Sequence, residues 1–415
     1  MSMLADFEPC LKCNICDTAC PVLPEHPEFP GPKRLGPEAA RLKLGPLPGI
    51  EYCDGCGLCT VACPSEIPVA ALIARAKGQR GPTQLRDRLL AHPARLGELA
   101  TRLAPLVNWS LRLRPARWLM DQVLHLDARR TLPSYSQGSF RMRWRRREHP
   151  AHGQRQVAFF VGCFGMYNDP ALSEAIVSVL ERYGCQVEVP VQMCCGLPAL
   201  ANGDQASARR YAQRNLALLL PLVEQGYHIV SGSPSCGLTL KADYVHVLDL
   251  PQGKEFGKHV YDLGEYLKML SADQPASPVV TSDNLRVAYH TPCHIRLQGI
   301  GRPFIDLLNA LPGVEVVDLD AGCCGIAGTY GLKKEKYDLA MKMGQPMAQA
   351  IGQSGASVVL SDCETCRMQI KEATGLQAMH PVELIQRFAG GTPRFQAMSD
   401  PCVKVKAAQR TRAKF

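Results

Sequence analysis

Residues 10–21, CLKCNICDTACP, and residues 53–64, CDGCGLCTVACP, decide how the first part of the chain folds. Each run spaces three cysteines by three and adds a fourth four residues on, followed by proline. The first holds Cys10, Cys13, Cys16 and Cys20; the second holds Cys53, Cys56, Cys59 and Cys63. Three thiolates at that spacing converge from one loop on one corner of an iron–sulfur cubane, leaving backbone N–H groups to face the sulfides. The fourth cysteine, at the start of a helix, points away and ligates the other cluster. Cys10, Cys13, Cys16 and Cys63 are therefore assigned to one [4Fe–4S] cluster, and Cys53, Cys56, Cys59 and Cys20 to the second. Zinc fits poorly, because its sites usually pair two Cys-x2-Cys hooks across a longer gap.

Outward from the hooks, the expectation is an α+β, ferredoxin-like N-terminal module of helices and loops over residues 1–80. The proline- and glycine-rich segment between the runs (residues 21–52) reads as an extended loop with one short helix at most. After Cys63, IPVAALIARAK carries apolar residues at helical spacing and closes the module.

The 415 residues set a prior of about three domains. An apolar fraction of 46% supplies real cores, and a charged fraction of 20% argues against global disorder. Nineteen cysteines are the outlier. The stretch MSMLADFEPCLKC shows neither a basic n-region nor an apolar h-region, and no run of about 18 apolar residues occurs, so a secreted or membrane-spanning chain is not expected. In a cytosolic chain such thiols read as metal ligands rather than bridges.

The second half repeats. VAFFVGC ends at Cys163 and VAYHTPC at Cys293, an offset of 130. Cys194-Cys195-Gly196 answers Cys323-Cys324-Gly325 at an offset of 129, and Ser233-Pro-Ser-Cys236 answers Cys363-Glu-Thr-Cys366 at 130. Strand-like and helical runs alternate in each copy, and each ends in a last strand, YHIVSGS or ASVVLSD. Two repeated α/β cysteine-rich (CCG) domains with mostly parallel sheets follow, over residues 154–275 and 284–390, with ligands at strand carboxyl ends.

The second copy offers Cys293, Cys323, Cys324, Cys363 and Cys366; the first offers Cys163, Cys194, Cys195 and Cys236, with Ser233 in place of the fifth thiol. Adjacent cysteines suit an opened cluster or a bridging thiolate better than an ordinary cubane, and the following glycine permits close backbone approach. Serine is a weak iron ligand, so the two sites are expected to differ, and a metal-free first copy stays open. His290 and His294 flank Cys293; they could donate hydrogen bonds to sulfur or carry a proton, although each taken singly reads as a turn histidine satisfied by backbone. The glycines of GIAGTYGLKK match no nucleotide loop and are read as packing near a cluster. Cys185 reads as a buried apolar residue, and Cys402 has no role.

Charge is localised. Residues 86–147 hold 14 Arg, four acidic residues and all three tryptophans (Trp109, Trp118, Trp144), for a net of +10 that leaves −1 elsewhere. This connector, residues 81–153, is amphipathic and broken at Pro105 and Pro115. Arg with Trp on amphipathic helices suits an anionic membrane surface first. Docking to an acidic partner, or to the chain's own surface, ranks second; nucleic acid is not expected as a partner. A basic tail, residues 391–415, follows.

Together, LKCNICDTACPV, FPGPKRLGPEAARL, YCDGCGLCTVACPS, RRTLPSYSQGSFR, CCGLPALANG, YHTPCH, CCGIAGTYGLKKE and SDCETCRMQI, from about Cys10 to about Pro381, resemble the iron–sulfur subunit of anaerobic glycerol-3-phosphate dehydrogenase. The resemblance implies an electron-transfer subunit, turning over no substrate alone, that relays electrons from a flavoprotein dehydrogenase to membrane quinone. It further implies peripheral tethering to the cytoplasmic side of the inner membrane. The Cys-Cys-Gly units also resemble the cysteine-rich subunit of heterodisulfide reductase, whose matching cysteines hold non-cubane [4Fe–4S] clusters. Cys293, Cys323, Cys324, Cys363 and Cys366 match that five-ligand pattern; Cys163, Cys194, Cys195 and Cys236 match it in part. The cofactors implied are two [4Fe–4S] cubanes and a further [4Fe–4S] cluster, cubane or non-cubane, in the second CCG domain, with the first left open. Rival readings are an electron-transfer subunit of glycolate or lactate oxidation and a thiol–disulfide reductase.

Overall fold

The computed structural model describes residues 9–148, 153, 155–273 and 285–388. The basic tail and Cys402 lie outside these residues.

In the N-terminal module the hooks are short loops, each ending in a single helical turn, Ile15–Thr18 and Leu58–Val61. The helix Val69–Arg80 packs across them, burying Val69, Leu72 and Ile73. Between the hooks, an α-turn Gly31–Lys33, a π-helical turn Arg34–Glu38 and an α-turn Ala39–Arg41 run on as one helical stretch. Pro37 lies inside it, where a proline lacks the N–H of the regular ladder and a π-turn absorbs the missing bond. A 3-10 turn, Ile50–Tyr52, follows, so the segment is more helical than its proline content suggested.

The two CCG domains have the same topology. Strands β1 (Arg155–Phe160), β2 (Cys185–Glu188), β3 (His228–Ser231) and β4 (Val260–Asp262) form an all-parallel sheet in the order β2-β1-β3-β4. Strands β5 (Leu285–Tyr289), β6 (Val314–Asp318), β7 (Val358–Leu360) and β8 (Ala378–Met379) repeat it as β6-β5-β7-β8. Apolar runs such as VAFF and VAY suit central parallel strands covered on both faces. The fourth strand of each sheet, beyond the run that reads as last in the sequence, is only two or three residues long and carries too little pattern to be read.

The sheets share one hydrophobic cluster containing Val230, Leu263 and Leu267 from the first and Val287, Phe304, Leu360 and Phe388 from the second. Gly264 lets the ring of Phe304 approach, since a Cβ there would stand 2.8 Å from Phe304 Cδ2. The copies are thus fixed against each other rather than strung on a linker.

The connector folds as short helices, Leu85–Leu90, Pro93–Arg102, Ala104–Ser110, Arg114–Leu124 and Phe140–Arg146. Pro105 and Pro115 each sit in the first turn of a helix, where the missing N–H is harmless. Much of its arginine turns inward. Arg86 bonds Glu335 and the His125 carbonyl, and Arg147 pairs with Glu181. Arg130, 1% exposed, donates to the Gly331 carbonyl at 2.9 Å and Gln369 Oε1 at 2.7 Å. Trp144 packs against the shared core beside Phe140. The belt is therefore partly a staple onto the chain's own surface, while Leu99, Leu103, Leu106, Trp109, Trp118, Leu119 and Val123 stay exposed.

Candidate metal centres

The hooks coil inward because alternate residues take left-handed backbone. Lys12 and Asn14 (φ 59° and 66°) in the first correspond to Gly55 and Gly57 (φ 76° and 77°) in the second. At Gly57 the glycine is also steric, since a Cβ would lie 2.3 Å from Leu297 of the second CCG domain. Cys20 of the first run lies in the electrostatic neighbourhood of Cys53 and Cys59, and Cys16 in that of Cys10. Burial, with Asp17 beside it, pushes the Cys16 thiol up to about 11, and burial pushes Cys20 up to about 12. Such thiols keep their protons at neutral pH unless a cation displaces them, as a metal does.

In the CCG domains the cysteines stand at the carboxyl ends of the first three strands of each sheet. Cys163 follows β1, Cys194 and Cys195 follow β2, and Cys236 follows β3; Cys293, Cys323–Cys324 and Cys363–Cys366 follow β5, β6 and β7. With the first strand central in each order, this is where α/β sheets gather ligands. Gly196 and Gly325 adopt φ of 104° and 89°, and a Cβ on Gly325 would meet Ala340 O at 2.2 Å. That glycine is required by helix packing, and in the same loop Gly331 lies against Ala340 Cβ and Arg130, whereas a Cβ on Gly328 would meet open space.

Every described cysteine is a free thiol. In the second domain Cys324 Sγ stands 3.1 Å from Cys366 Sγ, the Gly325 N–H donates to Cys323 Sγ at 3.4 Å, and Thr365 Oγ1 lies 3.3 Å from Cys363 Sγ. Cys293 lies beside Cys323, Cys323 beside Cys324 and Cys363 beside Cys366, so all five thiols form one group. In the first domain Cys163, Cys194, Cys195 and Cys236 lie side by side in series. Ser233 is turned elsewhere: its hydroxyl donates to Glu364 Oε1 and Oε2, each at 3.1 Å. The grouped, largely buried thiols of the two CCG domains, free of disulfides, are a donor set that fits iron–sulfur clusters, and the hook thiols, from buried Cys20, Cys56 and Cys59 to exposed Cys13, are free as well.

Three residues matter that the sequence did not single out. Asp54 joins Cys56 and Cys323 in a group whose ligand atoms lie within 4.8 Å of one another. Its Oδ1 accepts from Cys56 N at 3.1 Å, and its Oδ2 lies 3.6 Å from Cys323 Sγ. Burial, with Cys323 beside it, raises its carboxyl to about 7. Glu364 ties the second domain to Ser233 of the first. Lys77, half-buried beneath the second hook, donates to the Cys53 carbonyl at 2.9 Å.

The histidines divide. His294 spans three units, with Nδ1 2.9 Å from Ser235 Oγ and Nε2 3.3 Å from Gly55 O. His290 is fully buried, groups with Cys324 and Cys366, and has no hydrogen-bond partner on either ring nitrogen, so backbone does not satisfy it. Burial drives its pKa down to about 4. Cys185 is buried in the shared core, away from every thiol group.

Residues 6–67 match the family of 4Fe-4S dicluster domains, and residues 157–241 and 287–371 each match the cysteine-rich domain family. A subunit of the anaerobic glycerol-3-phosphate dehydrogenase of Escherichia coli K12 is 40% identical over 389 residues, covering 91% of this chain and 98% of that protein. A subunit of the fumarate reductase (CoM/CoB) of Methanothermobacter marburgensis is 28% identical over 395 residues, covering 91% of this chain and 70% of that protein. Lactate utilization protein A of Bacillus subtilis 168 is 28% identical over 246 residues, covering 55% of this chain and 98% of that protein.

Proposed function

We propose, since this chain belongs to the family of the iron–sulfur subunit of anaerobic glycerol-3-phosphate dehydrogenase, that it is the electron-transfer subunit of such a dehydrogenase, carrying electrons from a flavoprotein partner towards membrane quinone. The supporting observation is contact. Cys56 of the second hook, Asp54 and Cys323 converge, while Glu364, next to Cys363, holds Ser233, which directly precedes the Pro234-Ser235-Cys236 turn of the first domain's group. Iron–sulfur clusters, when bound, supply one-electron transfer without proton or hydride chemistry.

The residues set an order. Cys13 is exposed, which places the first hook at the surface where a donor can dock. The second hook, held by His294 and Gly57 against the second CCG domain, leads to Cys323. Glu364 and Ser233 lead on to the four-thiol site of the first CCG domain. That site borders the connector: Tyr167, four residues past Cys163, packs on Gly97 of helix Pro93–Arg102, and Tyr135 lies in the electrostatic neighbourhood of Cys163. The exposed Leu and Trp side chains on the same and following helices give a face suited to a cytoplasmic membrane surface, where quinone is available. No helix among the described residues is long and apolar enough to cross a membrane, so attachment is peripheral in this reading.

The test is a Cys323→Ser variant copurified anaerobically with its flavoprotein. With glycerol 3-phosphate as reductant, the hook sites should reduce as in the wild type, read by EPR, while reduction of the first CCG domain and of added quinone slows. Reduction of that domain at the wild-type rate would show that electrons bypass Cys323 and overturn the order.

A further inference from the structure

A cavity of about 470 Å³ opens where the N-terminal module, the connector and both CCG domains meet. Its wall carries six Lys and Arg side chains against three carboxylates, and the carboxylates are already taken. Glu51 pairs with Arg80, Asp87 with Lys333 at 2.7 Å, and Glu335 with Arg86, while Lys334 turns to Asp121 outside the wall. Lys77 and Lys336 remain. Among the described residues neither has a carboxylate within ion-pair distance. Lys77 Nζ donates to the Cys53 carbonyl at 2.9 Å and Lys336 Nζ to the Glu51 carbonyl at 2.5 Å. Lys336 is 2% exposed and lies over the rings of Tyr52 and Tyr330, 3.7 and 4.9 Å from their centroids. Arg86, 3% exposed in the same wall, has an Nε without a hydrogen-bond partner.

Buried Lys336 and half-buried Lys77 share one wall and donate only to main-chain carbonyls, an arrangement that is costly unless a counter-ion completes it. We propose that this cavity binds a small phosphate-type dianion, inorganic phosphate or a phosphate monoester, between Lys77 and Lys336. A dianion matches the two unpaired charges, whereas a monocarboxylate leaves one uncompensated, and Arg86 Nε is a further donor. The volume lies within the roughly 300–1,000 Å³ of small-molecule sites, so an organic portion fits beside the phosphate. Because Lys77 holds the Cys53 carbonyl of the second hook and Lys336 that of Glu51, two residues ahead of it, the ligand brings negative charge beside that hook and makes its centre harder to reduce. The site stands whichever way electrons flow through the chain.

The experiment is calorimetric titration of anaerobically purified holoprotein with inorganic phosphate, with sodium chloride holding ionic strength constant. One saturable site per chain is expected. Lys77→Met and Lys336→Met should each weaken it by about tenfold or more, the worth of a charge-assisted contact, while Lys336→Arg retains binding. An EPR-monitored redox titration of the wild type gives a second readout, independent of any variant's folding. Tenfold weaker binding to the reduced protein lowers the potential by about 59 mV. No saturable heat with an unmoved potential, or affinity unchanged in both Met variants, would overturn the proposal.

Discussion

Replacing Trp109 and Trp118 together with alanine measures how much of the connector's exposed face serves a membrane. Their side chains are 59% and 62% exposed on successive helices, flanked by Leu103, Leu106, Leu119 and Val123. A tryptophan presents at most about 250 Å², so each exposes roughly 150 Å². At about 25 cal/mol per Å², complete transfer into an apolar phase is worth about 4 kcal/mol per ring, and a half-inserted ring about 2 kcal/mol. The double variant therefore loses about 4 kcal/mol of partitioning, on the order of a thousandfold. The assay is cosedimentation of holoprotein with vesicles containing phosphatidylglycerol. Arg112, Arg114, Arg145 and Arg146 are exposed in the same segment and contribute about 1 kcal/mol each near an anionic surface, so wild-type binding should also fall as salt shortens the screening length. Arg112→Gln with Arg114→Gln should flatten that salt dependence and leave the tryptophan contribution intact. Wild-type binding by the tryptophan variant, or no binding by the wild type at low salt, would refute a membrane role for this face.

Gly325→Ala places a Cβ 2.2 Å from Ala340 O at a backbone φ of 89°, so the Cys-Cys-Gly turn must shift; the expected cost is about 2–4 kcal/mol, read as a lowered Tm with iron lost from the second CCG domain and retained in the hooks. Asp243 tests burial against pH. Its carboxyl is raised by burial from 3.8 to about 6, so the folded chain binds more protons than the unfolded chain between about pH 4 and pH 6, and stability falls as pH rises through that window. Asp243→Asn should match the wild type below pH 4 and exceed it above pH 6 by up to about 3 kcal/mol, seen as a Tm gap that opens with pH.

What was legible in the sequence was what lies close along it. Three cysteines in seven residues define a hook without knowledge of the fold, and an offset of 130 residues between matching cysteines marks a duplication whatever the packing. The ends of β1 to β3 and β5 to β7 followed, because a repeated alternation of apolar strand and helix carries its ligands at the same turn each time. Long-range pairing left no local mark. Asp54 occupies an unconstrained position inside a hook and matters only because Cys323, 269 residues away, folds onto it. Glu364 is an ordinary helix-start acid until Ser233 is brought to it. The arginine belt misled in part for the same reason: Arg86 and Arg130 find Glu335 and Gln369 across more than 200 residues, and composition cannot distinguish them from Arg112 or Arg114.

The one departure in the repeated cysteine pattern bears on the proposed relay. Ser233 stands where the second copy has Cys363, yet it is no passive gap, because both oxygens of Glu364 accept from its hydroxyl and hold it off the thiol group. The first site has four thiols and the second five. One thiolate fewer is one negative charge fewer in the donor set, and a less negative set raises a reduction potential. Electrons entering at the exposed first hook and passing Cys323 would then move downhill towards Cys163 and Cys236, beside the connector. The carboxylate that keeps the serine away from the first group sits directly next to Cys363 of the second. The residue that makes the copies unequal is therefore also the bridge between them, and the shared core of Val230, Val287 and Phe304 keeps that bridge at fixed length.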